Sequence, residues 1–263
     1  IAKYIINIKK ANIMRKFTII AVALFMGTIA KAQNDFTKSL NGIQWVKIES
    51  KTDIVVKTHN ANELLIKSGP QIKTPERAKG LKLVGEGGTD NTNVGFSVVQ
   101  DGNTLIVYNL RKNKGAEIYL PASQNLAVKS TWNGDIEIDG FSGEIEADAQ
   151  LNGGVRITNV NGPVTANSLN GQLEVVFGKV TQDSPISLYS TNGAVDVSLP
   201  ANTPANLALS TLNGNVYTDF DVKAEDKNGL KSVLGRDIKA SINGGGVKIS
   251  MKSTNGNMYL RKK

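Results

Sequence analysis

From Trp132 to the C-terminus the chain repeats one short phrase: Asn-Gly, a spacer, then residues alternating between apolar and polar. It reads Asn133-Gly134-Asp135-Ile136-Glu137-Ile138, Asn152-Gly153-Gly154-Val155-Arg156-Ile157, Asn170-Gly171-Gln172-Leu173-Glu174-Val175 and Asn192-Gly193-Ala194-Val195-Asp196-Val197. Further copies stand at Asn213-Gly214-Asn215-Val216-Tyr217 and Asn255-Gly256-Asn257-Met258-Tyr259-Leu260. Asn positions 133, 152, 170, 192 and 213 step by 19, 18, 22 and 21. Fainter copies, Gly143-Glu144-Ile145-Glu146-Ala147 and Asn161-Gly162-Pro163-Val164-Thr165-Ala166, lie half a period away. Each repeat therefore predicts two short strands, each followed by a turn. Alternation with period two places Ile136, Ile138, Ile145, Val155, Ile157, Leu173, Val175, Val195, Val197 and Leu199 on one buried face. Asn and Gly tolerate left-handed backbone better than other residues, so the phrase predicts a positive-φ corner.

Two architectures use such a phrase. Asn-Gly between alternating runs is a strong hairpin signal, which supports an antiparallel β-meander or sandwich. Copies one full period apart match better than neighbouring half-repeats, which favours stacked coils. The predicted class is all-β: a single-stranded, β-helix-like solenoid in the C-terminal half with an N-terminal β region stacked on it, and the meander or sandwich as alternative. In the solenoid register Glu137, Arg156, Glu174 and Asp196 form one exterior column. Its first three members alternate in sign as cross-strand neighbours should, and Asp196 breaks the alternation.

Earlier in the chain, Ile43–Ile48, Asp53–Thr58, Glu63–Lys67, Leu81–Val84, Gly95–Val99, Thr104–Leu110 and Ala116–Leu120 read as strands, with a hairpin-like turn at Gln100–Asn103. Helix is expected only near Ala224–Ser232. An insertion at Asp219–Gly235 widens the step from Asn213 to Asn243 to 30 residues and disturbs coil regularity there. Open solenoid ends are strand edges that invite pairing and need caps, for which the N-terminal strands and Met258–Lys263 are the candidates.

Met14-Arg15-Lys16, the apolar run Phe17–Ile29 and Ala30-Lys31-Ala32 have the order and size of a secretory signal peptide. The run is short for a membrane span, and no later stretch is apolar enough for one, so no integral span is expected after signal cleavage. The expected division is 1–13 as an over-extended reading frame, 14–32 as signal peptide, 34–120 as an N-terminal β region and 121–263 as the repetitive solenoid, continuous with 34–120. Charge follows from this. Setting aside the six basic residues before Asn34 leaves 25 of the chain's 31 Lys and Arg against 23 acids, which withdraws the basic balance a nucleic-acid binder needs. The complete absence of cysteine excludes disulfides, thiolate metal sites and cysteine nucleophiles.

No grouping calls for catalysis, a cofactor or a metal. His59 is the single histidine, without a Gly-x-Ser-x-Gly elbow, and reads as a surface residue. Asp135, Glu137, Asp139, Glu144, Glu146 and Asp148 alternate with apolar residues and read as the solvated face of two strands. Gly244-Gly245-Gly246-Val247-Lys248 lacks the Asp of a calcium-binding nonapeptide. Gly85-Glu86-Gly87-Gly88 has no following Lys-Ser/Thr and is a loop. Trp45 and Trp132 offer flat faces to sugars, but packing is expected for both, with Trp132 covering the open first coil.

Val46-Lys47-Ile48-Glu49-Ser50, Asp101-Gly102-Asn103-Thr104-Leu105-Ile106-Val107, and Leu120-Pro121-Ala122 running on to Leu126-Ala127-Val128-Lys129-Ser130-Thr131-Trp132-Asn133-Gly134-Asp135-Ile136 together resemble a bacterial adhesin-like family of unknown function. Leu199-Pro200-Ala201 repeats part of that phrase, and the resemblance covers about Phe36 to the C-terminus. It implies a β-solenoid and an envelope location, and carries over no catalytic or ligand residues. The expected role is an exported, non-catalytic binding or scaffold protein, in the periplasm or at the cell surface, whose partner is an envelope component, glycan or protein rather than nucleic acid. A polysaccharide-active enzyme and an envelope-stress accessory are the alternatives.

Overall fold

The computed structural model describes residues 35–69, 75–224 and 237–263. Within them the repeat closes into flattened coils, each contributing one strand to each of two facing sheets. In stack order the coils are Thr104–Asn109 with Ala116–Pro121 (coil 1), Trp45–Ser50 with Ile54–His59 (coil 2), Asn125–Ser130 with Ile136–Asp139 (coil 3) and Ile145–Ala149 with Val155–Val160 (coil 4). Then come Val164–Ser168 with Leu173–Phe177 (coil 5), Ile186–Ser190 with Val195–Leu199 (coil 6), Val247–Ser253 with Met258–Lys262 (coil 7) and Ala205–Thr211 with Val216–Thr218 (coil 8). All coil-to-coil pairing is parallel, so the solenoid holds and the meander does not. Parallel ladders hold neighbouring coils about 4.8 Å apart. The ten residues assigned to the inner face are all buried.

Antiparallel strands close both ends. Phe36–Ser39 and Glu63–Ile66 extend the first sheet, the latter against coil 1, while Phe96–Asp101 pairs with Thr104–Asn109 across the expected hairpin, where Gly102 has φ +57°. At the other end Asp237–Ile242 lies antiparallel to Ala205–Thr211, and Lys223–Ala224 adds to it. Ala224 is thus in a strand, and the rest of the helix expected at Ala224–Ser232 lies outside the described residues, as do 1–13 and the 14–32 signal pattern. Among the described residues no helix is long and apolar enough to cross a membrane.

Chain order and stack order part company at both ends. Coil 2 precedes coil 1 in sequence yet lies inside it, and coil 7 follows coil 8 in sequence yet is inserted between coils 6 and 8. Two expectations change. Met258–Lys262 is an interior strand rather than a cap, and Trp132 belongs to coil 3, with coil 2 stacked beneath it, so it covers no open end. The 30-residue step to Asn243 is explained too. Asn243 sits in the turn before coil 7, at φ +50°, with its side-chain amide donating to the carbonyls of Ala201 and Thr203. The corner that follows Asn192 in space is Asn255.

The corner glycines are also there for another reason than expected. Gly134, Gly153, Gly171, Gly193, Gly256 and Gly214 are absent from the positive-φ residues. They form a column in which an added Cβ would sit well inside 3.0 Å of the neighbouring coil's backbone, the carbonyl of the next glycine at all but Gly134, which faces Thr52. Coil spacing leaves no room for a side chain at this corner.

Candidate binding surface

The corner that carries the glycines is built in three layers. Innermost is a column of buried hydroxyls in register: Ser50, Ser130, Ser168, Ser190, Ser253 and Thr211, interrupted by Ala149. Ser190 shows the design: Gly193 N–H donates to its Oγ at 2.9 Å and Oγ donates to the Gly171 carbonyl at 3.1 Å. Ser168, Ser253 and Thr211 reach glycine carbonyls in the same way. Ser130 is the exception. Its turn to Gly134 is one residue longer than the turn from Ser190 to Gly193, its neighbour in the next coil is Ala149, and its Oγ is buried without a partner. Sequence reading missed this column, although a hydroxyl three residues before the Asn-Gly glycine recurs at Ser168, Ser190, Thr211 and Ser253.

Outermost is a ladder of side-chain amides. Asn152 donates to Asn133 at 2.9 Å, Asn170 to Asn152 at 3.2 Å, Asn192 to Asn170 at 2.7 Å, Asn255 to Asn192 at 2.7 Å and Asn213 to Asn255 at 2.8 Å. Every bond points the same way along the stack. Between this ladder and the strands beyond it lies a groove of about 460 Å³ lined by Asp135, Glu137, Asn152, Gly154, Arg156, Gln172 and Glu174, among others. Beside the ladder, on the side of the preceding strands, Trp132 is 58% exposed and Leu169 39% exposed.

The exterior charge column falls in the expected register, Glu137 beside Arg156, Arg156 beside Glu174, Glu174 beside Asp196. Arg156 Nε lies 3.2 Å from Glu174. The apparent flaw at Asp196 is answered by coil 7: Arg261 grips it through Nε, at 2.8 Å from Oδ1 and 3.2 Å from Oδ2, and through Nη2, at 2.9 Å from Oδ2. That hydrogen bond and the Asp196 charge raise the Arg261 guanidinium above its ordinary pKa. Tyr259, the register partner of Asp196 on the same strand as Arg261, stacks on Tyr217 with ring centres 5.4 Å apart.

The acidic cluster divides between the two sheets: Glu137 and Asp139 lie on the Ile136–Asp139 strand, Glu146 and Asp148 on the Ile145–Ala149 strand. The latter pair lines a second depression, of about 540 Å³, with Lys47, Glu49, Tyr108 and Lys129. Alternating charges across it leave no strong field of one sign. Asp135 Oδ1 accepts the Gly154 N–H at 2.7 Å, a structural bond between coils. Among the described residues no group of three His, Cys, Asp or Glu side chains could hold a metal. His59 ends a coil 2 strand, its Nε2 2.8 Å from the Glu63 carbonyl oxygen. In the Gly85–Gly88 loop Glu86 pairs with Lys51, whose hydrogen bond and charge hold its carboxyl below the usual range. Arg111 is the one buried cation among the described residues. It donates to the carbonyls of Gly115 and Ser68 and lies over the Phe96 ring, and burial lowers its pKa.

The profile of the family described as Toastrack DUF4097 matches residues 122–261, more than half of the chain. This chain belongs to the Toastrack family. The matched span begins at the turn into coil 3 and takes in every Asn-Gly corner of the ladder. A search of curated proteins finds no match to this Toastrack chain. Solved structures include a putative cell adhesion protein from Clostridium sporogenes, 11% identical, covering 87% of this chain and 99% of its own, with a TM-score of 0.39. Another is a putative adhesin from Bacteroides fragilis, 12% identical, covering 87% and 96%, with the same TM-score. Both likenesses are weak, and no property of either protein is carried over.

Proposed function

We propose that this Toastrack chain is an exported binding or scaffold module of the cell envelope, adhesin-like and without catalysis of its own. The observation that carries this reading is the surface. The stack is held by parallel ladders, a hydroxyl column and an amide ladder, so its outer faces form a rigid array of polar side chains at fixed spacing. Rigid arrays of this kind suit recognition of extended partners, since little side-chain entropy is lost on contact. Two of the three groove carboxylates already hold a bond, Glu174 to Arg156 and Asp135 through Oδ1 to the Gly154 N–H, which suits binding better than proton transfer. Export rests on the Met14–Ala32 pattern, which has the make-up of a secretory signal.

The test is fractionation of the native organism with protease shaving of intact cells, following the protein by antibody. Recovery in periplasmic, envelope or shaved-surface fractions supports export. Recovery only in the cytosol overturns it. A rise in reducing ends when purified protein is incubated with envelope glycans would overturn the non-catalytic part.

A further inference from the structure

The residue before each ladder asparagine forms a column of its own, in stack order Trp132, Leu151, Leu169, Thr191, Thr254 and Leu212. Backbone or side-chain bonds from the asparagines to their carbonyls fix the order: Asn152 to Trp132, Asn170 to Leu151, Asn192 to Leu169, Asn255 to Thr191 and Asn213 to Thr254. The continuous apolar part of this ridge is one residue wide and spans coils 3 to 5, with Trp132 and Leu169 exposed and Leu151 half-buried, while Leu212, also exposed, stands apart at coil 8 beyond Thr191 and Thr254. Trp132 packs over no coil end, so its exposed ring needs a different account from the one given to an end cap.

Size and chemistry decide what it suits. A stable protein partner buries about 800 Å² per side around an apolar core. Three side chains in single file supply far less. The ridge is bordered by hydrogen-bonding groups with capacity to spare. A side-chain amide has two N–H donors and an oxygen with two acceptor sites. The ladder takes one donor and one acceptor site of Asn152, and the side-chain Nδ2 of Asn133 makes no bond to another described residue. Beyond the ladder the groove adds the carboxylates of Asp135 and Glu137 and the amide of Gln172. Its one cation, Arg156, is paired with Glu174, so the groove repels polyanions. A flat aromatic face on one side of the amide ladder and carboxylates on the other match a neutral sugar strand laid across it, which has apolar ring faces and hydroxyls that both donate and accept.

We propose that Trp132, the free amide groups of Asn133 and Asn152, and the groove edge at Asp135, Glu137 and Gln172 form a binding site for a neutral polysaccharide strand. The Trp132 ring stacks on a sugar face and the polar groups take its hydroxyls. The strand crosses successive coils at the corner. This rests on the reading of the chain as a binding module and names the chemistry of its ligand.

The experiment is calorimetric titration of the purified full chain with laminarin, dextran and mannan as neutral probes and polygalacturonate as polyanion, repeated on Trp132→Ala and Gln172→Ala. Melting curves check that both variants fold. The expected result is binding of at least one neutral probe and none of polygalacturonate. Trp132→Ala should weaken that binding about tenfold or more, the scale of one lost stacking contact, at an unchanged melting temperature. Failure of all neutral probes to bind, or equal binding by Trp132→Ala, overturns the site. Cosedimentation with envelope preparations separates the two readings. If it persists after such a failure, only the polysaccharide assignment falls; if it is absent as well, the binding reading falls too.

Discussion

Replacing Gly193 at the centre of the corner column tests why the glycines are there. Its Cβ would be driven into the Gly171 carbonyl of the coil below, and the backbone cannot retreat, because parallel ladders fix the spacing on both sides. Overpacking a well-fitted site costs about 1–3 kcal/mol. Displacing the corner also strains the Gly193-to-Ser190 hydrogen bond, about 1 kcal/mol more. Gly193→Ala should therefore lose about 2–4 kcal/mol in urea unfolding followed by circular dichroism. Asparagine sharpens the comparison, because it tolerates left-handed backbone but needs more room than glycine. Gly244 has φ +88° and nothing within 4 Å of an added Cβ. Gly244→Asn should cost under about 1 kcal/mol, whereas Gly193→Asn should cost at least as much as Gly193→Ala. If Gly193→Asn is as stable as Gly244→Asn, the close-approach argument is wrong.

Three further expectations follow from named contacts. Ser190→Ala leaves the Gly193 N–H without its acceptor and should cost about 1–3 kcal/mol, whereas Ser130→Ala removes a buried hydroxyl that has no partner and should be neutral or stabilising; chemical denaturation of the pair compares them directly. In hydrogen exchange, amides of Met258–Lys262, flanked on both sides, should exchange more slowly than those of Val216–Thr218 in the outermost coil, and the reverse order would refute the inserted position of coil 7. Asp35 is pulled two ways: burial raises its pKa, but Lys67 at 2.8 Å and the Ser68 N–H outweigh that and hold it below 3.8. Its contribution is therefore present above pH 4 and lost as pH falls through the lowered value, so protection of the Ser68 amide should decline there in the native chain and show no such step in Asp35→Asn.

Much of the fold was legible because a solenoid writes its period into the chain. Ile136, Val155, Leu173 and Val195 recur at the coil repeat and stack in that register, and the Glu137–Arg156–Glu174 column could be aligned from spacing alone. The order of the end coils could not be read in the same way. Any coil offers its neighbour the same parallel edge, the same alternating apolar face and the same Asn-Gly corner, so Val195–Leu199 pairs as well in pattern with Val216–Thr218 as with Met258–Lys262. The choice is made by contacts specific to coil 7, such as Arg261 on Asp196, which supplies the missing opposite charge, and by the antiparallel strand Asp237–Ile242, which takes the far edge of Ala205–Thr211.

The Trp132 expectation failed for a related reason. It assumed that the first strong repeat was also the first coil, whereas Trp45–His59, with a weaker phrase and no Asn-Gly, is stacked beneath it as coil 2, with coil 1 beyond. Once coil 2 covers coil 3, the stack no longer requires a large exposed aromatic at this corner. Leu151 and Leu169 occupy the same column at smaller size, and Thr191 and Thr254 show that a polar residue is accepted there. The ring is therefore free of the packing role that would explain it, and it stands beside amides that the ladder leaves half-used. That combination makes Trp132 the position where a change should alter what the chain holds without altering how it folds.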